Sequence, residues 1–366
     1  RHECKTYKEA LKLARSILLG NANSKILIYA VSGSNYACVI TSRMMQQGRN
    51  KTIYVGEDKP NQVDLFGNEI TKKFELRDKY IEPPFSVMDT KQGTWQRRRQ
   101  KWKALGIESE LGRKVDGAHF AGRHRQAERS SKPVAESTQR ILDVGEHSIF
   151  DPVVCELAYT WFCPNENSRI LDPFAGGSVR GIVATQLGHD YTGIELRKEQ
   201  VESNIEQANK IFEKGNKPNW IQGDSNQVLD KLKDGIFANQ IKGYDFIFSC
   251  PPYGNLEIYS DLKEDISNME YPQFLKIYES IINKSCNLLN KGQLACFVVG
   301  EFRDKKGHYY GFVPDTINAF KKAGMQYYNE IILLNAIGSA SVRAGTAMKN
   351  RKIVKIHQNI LVFKKI

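Results

Sequence analysis

No apolar run in this chain approaches the roughly 18 residues that a membrane-spanning helix needs, so no such helix is expected. The opening residues, RHECKTYKEA, lack the apolar centre of a signal peptide, and a chain opening on Arg rather than Met is consistent with trimming. Seven cysteines, at 4, 38, 155, 163, 250, 286 and 296, are odd in number, scattered and without a CxxC pair, so they outline neither a disulfide framework nor a zinc site. His119, His124, His308 and His357 show no ligand spacing and are set aside as non-catalytic. There is no internal repeat, no long low-complexity tract, no complete phosphate-loop pattern and no GxGxxG. The expectation is a soluble, cytoplasmic protein that uses no metal.

What is present is more informative. At 366 residues and 41% apolar content the chain accommodates one large α/β domain with an appendage, or two modest domains. Its formal net charge of +12 is unevenly placed. Between Arg97 and Lys132 eleven Lys/Arg stand against four acids, and from Arg343 to the end there are seven Lys/Arg and no acid. Such blocks suit a polyanion, because phosphate neutralisation supplies much of nucleic-acid affinity; a solvated basic surface is the plainer alternative.

The first 90 residues read as a helix (YKEALKLARSILL), a strand (KILIYAV), a second helix around NYACVITSRMMQQ, and a strand (TIYVG). SGSN at 32–35 is either a turn or, less simply, a backbone cradle for phosphate. Trp95 and Trp102, seven apart, predict a helix packed on a neighbour with a cationic outer face. Residues 116–139 are polar and weakly periodic, as in a flexible connection. From about residue 140 strands and helices alternate: SRILD, YTGIE, NWIQGD, YDFIFS and QLACFVVG are strands separated by helical stretches, which predicts a parallel sheet with helices on both faces. QYYNEIILL and HQNILVFKK then predict a hairpin with a basic loop at 336–356 at its tip.

In open α/β sheets ligands sit beyond the carboxyl ends of strands. The first of these strands runs into DPFAGGSV, where Gly176 and Gly177 allow a tight turn and close approach of a ligand. The second ends in Glu195, 23 residues after Asp172, the offset at which an acid accepts both hydroxyls of a ribose. The third ends in Asp224, placed to accept from an adenine amino group. Together they describe a site for an adenosine-bearing cofactor, and the absent GxGxxG argues against a dinucleotide.

DPFAGGS (Asp172, Pro173, Phe174, Ala175, Gly176, Gly177, Ser178) resembles the DPFxGSG cofactor motif of the S-adenosylmethionine-dependent DNA amino-methyltransferases, and CPPY (Cys250, Pro251, Pro252, Tyr253) resembles their catalytic [DNS]PP[YF]. FDPVVCELAYTWFCP, beginning Phe150, Asp151, Pro152, resembles the segment of that family that closes over the methionine end of the cofactor. The chain also resembles the DNA-modification methylases of phages and mobile elements, firmly over 140–366 and faintly over 82–114. The resemblance implies an α/β, Rossmann-like methyltransferase fold: a mostly parallel seven-stranded sheet with a C-terminal antiparallel hairpin strand, over 140–366. It would follow an N-terminal α/β or helical extension (1–115) and the connection at 116–139. It implies S-adenosyl-L-methionine as cofactor, double-stranded DNA as partner, and transfer to adenine N6 ahead of cytosine N4. In that chemistry the Pro251 carbonyl faces an exocyclic amino group of a flipped base and Tyr253 stacks on the base.

Cys250 departs from the family's Asp, Asn or Ser. Three readings stay open: a tolerated small residue beside the Pro251 carbonyl, a weak acceptor as thiol or thiolate, or a covalent nucleophile suited to carbon-5 methylation. Ser249 lies one place too early, on the opposite face of an extended chain. Glu301 and Arg303 either border the target pocket or form a surface turn, and SVRAGTAMKNRKIVK (341–355) could line a DNA groove. Two rival functions remain, an RNA methyltransferase with the same fold and motif, and a non-catalytic DNA-binding protein with a degenerate methyltransferase domain.

Overall fold

The computed structural model describes residues 76–107, 150–238, 243–254, 259–335 and 340–366, together with short strands between residues 2 and 70. The chain divides into two compact units, Arg1–Ile81 and Glu82–Ile366.

In the first unit β1 (His2–Cys4), β2 (Lys25–Ser32), β3 (Asn35–Thr41) and β4 (Tyr54–Val55) form a sheet in the order β1-β3-β2-β4. β5 (Gln62–Val63) pairs antiparallel with β6 (Glu69–Ile70), and a short helix α1 (Leu76–Tyr80) follows. NYACVIT, expected to be helical, is strand β3. Tyr36, Val39, Ile40 and Thr41 favour a pleated backbone, and β3 pairs antiparallel with β2, with Ser32 opposite Asn35, the first and last residues of SGSN. The helix expected over YKEALKLARSILL, the connection at 116–139, His119 and His124 lie outside the described residues.

The second unit is built on an eight-stranded sheet. Its elements in chain order are β7 (Val87–Asp89), α2 (Gly93–Lys103), α3 (Pro152–Phe162), β8 (Arg169–Asp172), α4 (Val179–Gln186), β9 (Asp190–Glu195), α5 (Lys198–Ile211), β10 (Asn219–Gln222) and α6 (Ser225–Ala238). They continue with β11 (Tyr244–Ser249), α7 (Tyr271–Leu288), β12 (Leu289–Val299), α8 (Phe312–Lys322), β13 (Met325–Leu334), α9 (Ala340–Lys349) and β14 (His357–Lys365). The strand order is β10-β9-β8-β11-β12-β14-β13-β7, and only β14 runs antiparallel to its neighbours. This is the expected mostly parallel Rossmann-like sheet with one antiparallel hairpin strand, carrying eight strands rather than seven.

The additional strand comes from far upstream: Val87–Asp89 pairs in parallel register with Ile332–Leu334. Residues 82–107 therefore belong with the second unit, and the units divide at Ile81/Glu82 rather than near residue 115. The basic segment between β13 and β14 holds helix α9 where a loop was expected; ASVRAGTAMK contains three alanines, Met and Lys, good helix formers, and no proline.

Strand β11 is buried along its length and shows how the layers pack. Ile247 joins the cluster of Phe274 and Tyr278 from α7, Phe312 and Phe320 from α8, and Phe363 from β14. Phe320 and Phe363 stack with ring centroids 4.0 Å apart. Phe246 and Phe248 meet Tyr159 of α3 edge-on instead, at 6.3 and 5.3 Å. Each such ring, fully buried, stabilises the fold by about 1.5–3 kcal/mol. Trp95 and Trp102 are both buried, as their seven-residue spacing predicts, and α2 packs on α3. Among the described residues no helix is long and apolar enough to cross a membrane.

Candidate active site

The strand order reverses between β8 and β11, and the carboxyl ends of the strands part there to leave a crevice. It holds a cavity of about 610 Å³ within the second unit. The carboxyl ends of β8, β9, β10 and β11 and the residues just beyond them all reach its wall: Phe174 and Gly176, Glu195, Asp224, and Cys250 to Tyr253.

The turn after β8 is fixed from beneath. Gly176 has φ +52°, a left-handed conformation that favours glycine, and space stands open where a Cβ would project. Arg180, on the first turn of α4, is buried and donates to the Asp172 carboxylate (2.6 Å) and to the carbonyls of Phe174 (2.6 Å) and Ala175 (2.7 Å). Burial opposes its charge, yet the Asp172 carboxylate raises its pKa above the ordinary arginine value. Asp172 is fully buried and also accepts from Tyr191 Oη (2.7 Å) and Ser249 Oγ (2.5 Å). A second support comes from α5, where Gln200, Asn204 and Gln207 lie on one helix face. Gln200 donates to Asn204 (2.9 Å), Asn204 to the Gly176 carbonyl (2.8 Å), and Ser178 Oγ to Gln207 (2.6 Å).

Of the five carboxylates that line the cavity among the described residues, Glu195 and Asp224 stand at the ends of β9 and β10. Glu195 accepts from the backbone N–H of Gly176 (3.0 Å) and of Arg197 (2.9 Å). Burial pushes its pKa up, against the pull of those two donors and the Arg197 guanidinium. Asp224 accepts from Asn226 N–H (2.9 Å) and so starts α6. Each oxygen keeps a further lone pair for a ligand donor. A nucleoside presents hydroxyl and amino donors, so this acceptor set beside an open glycine turn fits the adenosyl part of S-adenosylmethionine.

The CPPY segment forms the neighbouring wall. Tyr253 Oη accepts from Gln358 Nε2 of β14 (2.7 Å), and its ring meets Phe312 edge-on at 6.0 Å. Burial holds its hydroxyl well above the ordinary tyrosine pKa, so it stays protonated. Cys250 Sγ lies 3.9 Å from that hydroxyl and is in no disulfide. Ser249 points away from the cavity and serves Asp172 and the Phe174 N–H, the opposite-face placement its position in the strand implies.

Of the residues expected to hold the cofactor, Phe150, Asp151, Pro173, Phe174, Gly176, Gly177, Ser178, Glu195 and Asp224 line the cavity. Asp172, Ala175 and Pro152 do not. Asp172 and Ala175 are buried behind the wall, held by Arg180, and Pro152 is the first residue of α3 after its N-cap Asp151. Glu301 and Arg303 do not line the cavity either. Glu301 accepts from the N–H groups of Phe312 (3.2 Å) and Val313 (2.8 Å) at the start of α8, and Arg303 lies over the Tyr309 ring at 3.7 Å. The sequence reading missed Arg180, the Gln/Asn face of α5, Gln358, and the contribution of Thr90, Gln96 and Arg99 from the upstream segment. Amide residues at i, i+4 and i+7, where an amphipathic helix would be apolar, were the available signal for the α5 face. Among the described residues no group of three His, Cys, Asp or Glu could hold a metal ion.

Residues 167–290, the stretch containing the glycine turn, both carboxylates and CPPY, match the family of RNA cap guanine-N2 methyltransferases. No curated protein matches the chain. Among solved structures, TrmN from Thermus thermophilus is 12% identical at TM-score 0.38, covering 62% of this chain, which spans only 53% of TrmN. The TehB-like SAM-dependent methyltransferase of Corynebacterium glutamicum is 16% identical at TM-score 0.35 (67% and 99% covered). Magnesium protoporphyrin IX methyltransferase (ChlM) of Synechocystis PCC 6803 is 12% identical at TM-score 0.39 (69% and 97%). Likenesses of that size carry no argument alone. The strand order, the crevice at its reversal and the match over 167–290 make this a Rossmann-like methyltransferase fold.

Proposed function

We propose that this protein is an S-adenosyl-L-methionine-dependent methyltransferase that modifies an exocyclic amino nitrogen of a nucleobase. One observation carries the reading: a single cavity joins the acceptor wall of Glu195 and Asp224 to the CPPY wall, so a nucleoside cofactor and a second planar group fit side by side. S-adenosylmethionine, when bound, supplies an electrophilic methyl group on a sulfonium. Glu195 takes the ribose hydroxyls, Asp224 an adenine amino proton, and the turn at Gly176 lets the cofactor lie close to the backbone. An exocyclic amino nitrogen is a poor nucleophile because its lone pair is conjugated with the ring. The Pro251 carbonyl accepts one of its protons and returns density to nitrogen, while Tyr253, fixed by Gln358, stacks on the base. The work is positioning and electrostatics.

DNA is the first reading of the polymer, with adenine N6 ahead of cytosine N4, because DPFAGGS and CPPY in this order resemble the DNA amino-methyltransferases. RNA is the second, favoured by the match of residues 167–290 to the RNA cap guanine-N2 family. Both are amino-group methylations of a base.

Nucleoside mass spectrometry on separated DNA and RNA from cells expressing the protein, beside cells expressing Pro251→Ala/Tyr253→Ala, tests this. A new N6-methyladenine or N4-methylcytosine in DNA that vanishes in the double variant supports the first reading. N2-methylguanine or another amino-methylated base in RNA supports the second. 5-Methylcytosine would overturn the mechanism and make Cys250 a nucleophile.

A further inference from the structure

We propose that Arg99 and Asp151 recognise the α-amino acid end of the cofactor, Arg99 taking its carboxylate and Asp151 its ammonium group; this rests on reading the cavity as an S-adenosylmethionine site. Three arginines line the cavity among the described residues: Arg99, Arg180 and Arg197. Two are committed. Arg180 is spent on Asp172 and the Phe174 and Ala175 carbonyls, and Arg197 donates to Gln200 (2.9 Å) and pairs with Glu195 (3.7 Å). Arg99 differs. Its Nε is buried with no hydrogen-bond partner, and the Asp151 carboxylate stands 3.8 Å away, beyond hydrogen-bonding reach.

Asp151 is held where it is. One oxygen accepts from the Val153 N–H (3.0 Å) to cap α3, and the other accepts from the Trp95 indole N–H (3.0 Å). Arg99 is set by the same helix as Trp95. Along QRRRQ, successive side chains turn by about 100°: Arg97 is exposed, Arg98 makes a two-pronged contact with Glu156 (2.5 and 2.6 Å), and Arg99 reaches the cavity. The wall thus offers a cation and an anion side by side, in a long ion pair that leaves the Arg99 Nε–H without a hydrogen bond. A ligand complementary to that pair carries an anion and a cation on neighbouring atoms, as a zwitterionic α-amino acid does, and the guanidinium fork matches a carboxylate. The other carboxylates that line the cavity, Glu195, Asp224, Glu264 and Asp265, would repel a ligand carboxylate, which directs it to the Arg99 end.

Calorimetric titration of the full chain with S-adenosylmethionine and with its decarboxylated analogue, which keeps the sulfonium and the ammonium, tests the assignment. The wild type is expected to prefer the carboxylate-bearing ligand by about tenfold or more, the range of a hydrogen bond to a charged group. Arg99→Met should abolish that preference while binding the analogue within about twofold of wild type. Arg99→Lys, a point charge without the fork, should fall between. Retention of the preference in Arg99→Met, or an equal loss for both ligands, would overturn the proposal. If the wild type bound neither ligand, the cofactor reading itself would fail and this assignment with it.

Discussion

The carboxyl edge of the sheet has two halves built in different ways. On the β8–β10 side, the turn DPFAGGS is bonded from beneath by Arg180, Ser249, Asn204 and Gln207, of which only Arg180 also lines the cavity. On the β11–β14 side, the CPPY segment is held by apolar packing against Phe312, the bond from Gln358 and a long sulfur contact. The difference teaches what each half must supply. On the proposed reading, a cofactor held by several fixed donors and acceptors needs a rigid frame, whereas a base held by one carbonyl and one ring would need only shape. Substitution at Cys250 is therefore tolerable in a way that substitution at Asp172 is not.

The comparison breaks most severely at Arg180. Arg180→Met leaves the Asp172 carboxylate buried without its cation, a loss of about 3–5 kcal/mol. Urea denaturation should show it, and adding Asp172→Asn should restore part of it, because the stranded charge is gone. A variant as stable as the wild type would mean that the frame does not depend on this pair.

Glu195 sharpens the comparison with a smaller effect. Its pKa is raised in the folded protein, so on acidification it takes up a proton above the usual glutamate range and loses an acceptor. S-adenosylmethionine affinity should then fall as the pH drops through that raised value. Glu195→Gln should bind more weakly and show no such step. Wild-type affinity that held level down to the ordinary glutamate range would remove the carboxylate from ligand binding.

The mildest change is predicted at Cys250. Cys250→Ala should leave folding and S-adenosylmethionine affinity unchanged and lower turnover only a few-fold, the worth of one weak hydrogen bond. Complete loss of turnover with binding intact would make the thiol a participant in the chemistry.

The same division decides how much could be read from the sequence. Gly176, Glu195, Asp224 and CPPY were legible because strand ends are marked locally, by a glycine pair, an acid or two prolines. Asp172 was legible as part of a motif but not as a buried counter-ion, because its partner Arg180 looks like any helical arginine until the helix is laid on the strand. NYACVIT was misread because its apolar residues fit a helix as well as a strand until the hairpin partner is known. The edge strand VMD was illegible for another reason: three residues carry no usable period, and its partners lie some 244 positions along the chain. Arg99 was consequently counted with a basic surface block, although it faces the cavity.

That edge strand bears on synthesis. Val87–Asp89 emerges early from the ribosome but has no ladder partner until Ile332–Leu334 have been made, and Thr90 bonds to the Leu334 carbonyl with both its N–H and its hydroxyl. Local βα pairings such as β8 with β9 form within a span of a few tens of residues, whereas this one must wait for a partner some 244 residues further on. The wall carrying Arg99 is therefore joined to the sheet late, in the same stage as Gln358 of β14, and a nascent or C-terminally truncated chain would hold the glycine turn without the Arg99 wall, and CPPY without the side chain that fixes Tyr253.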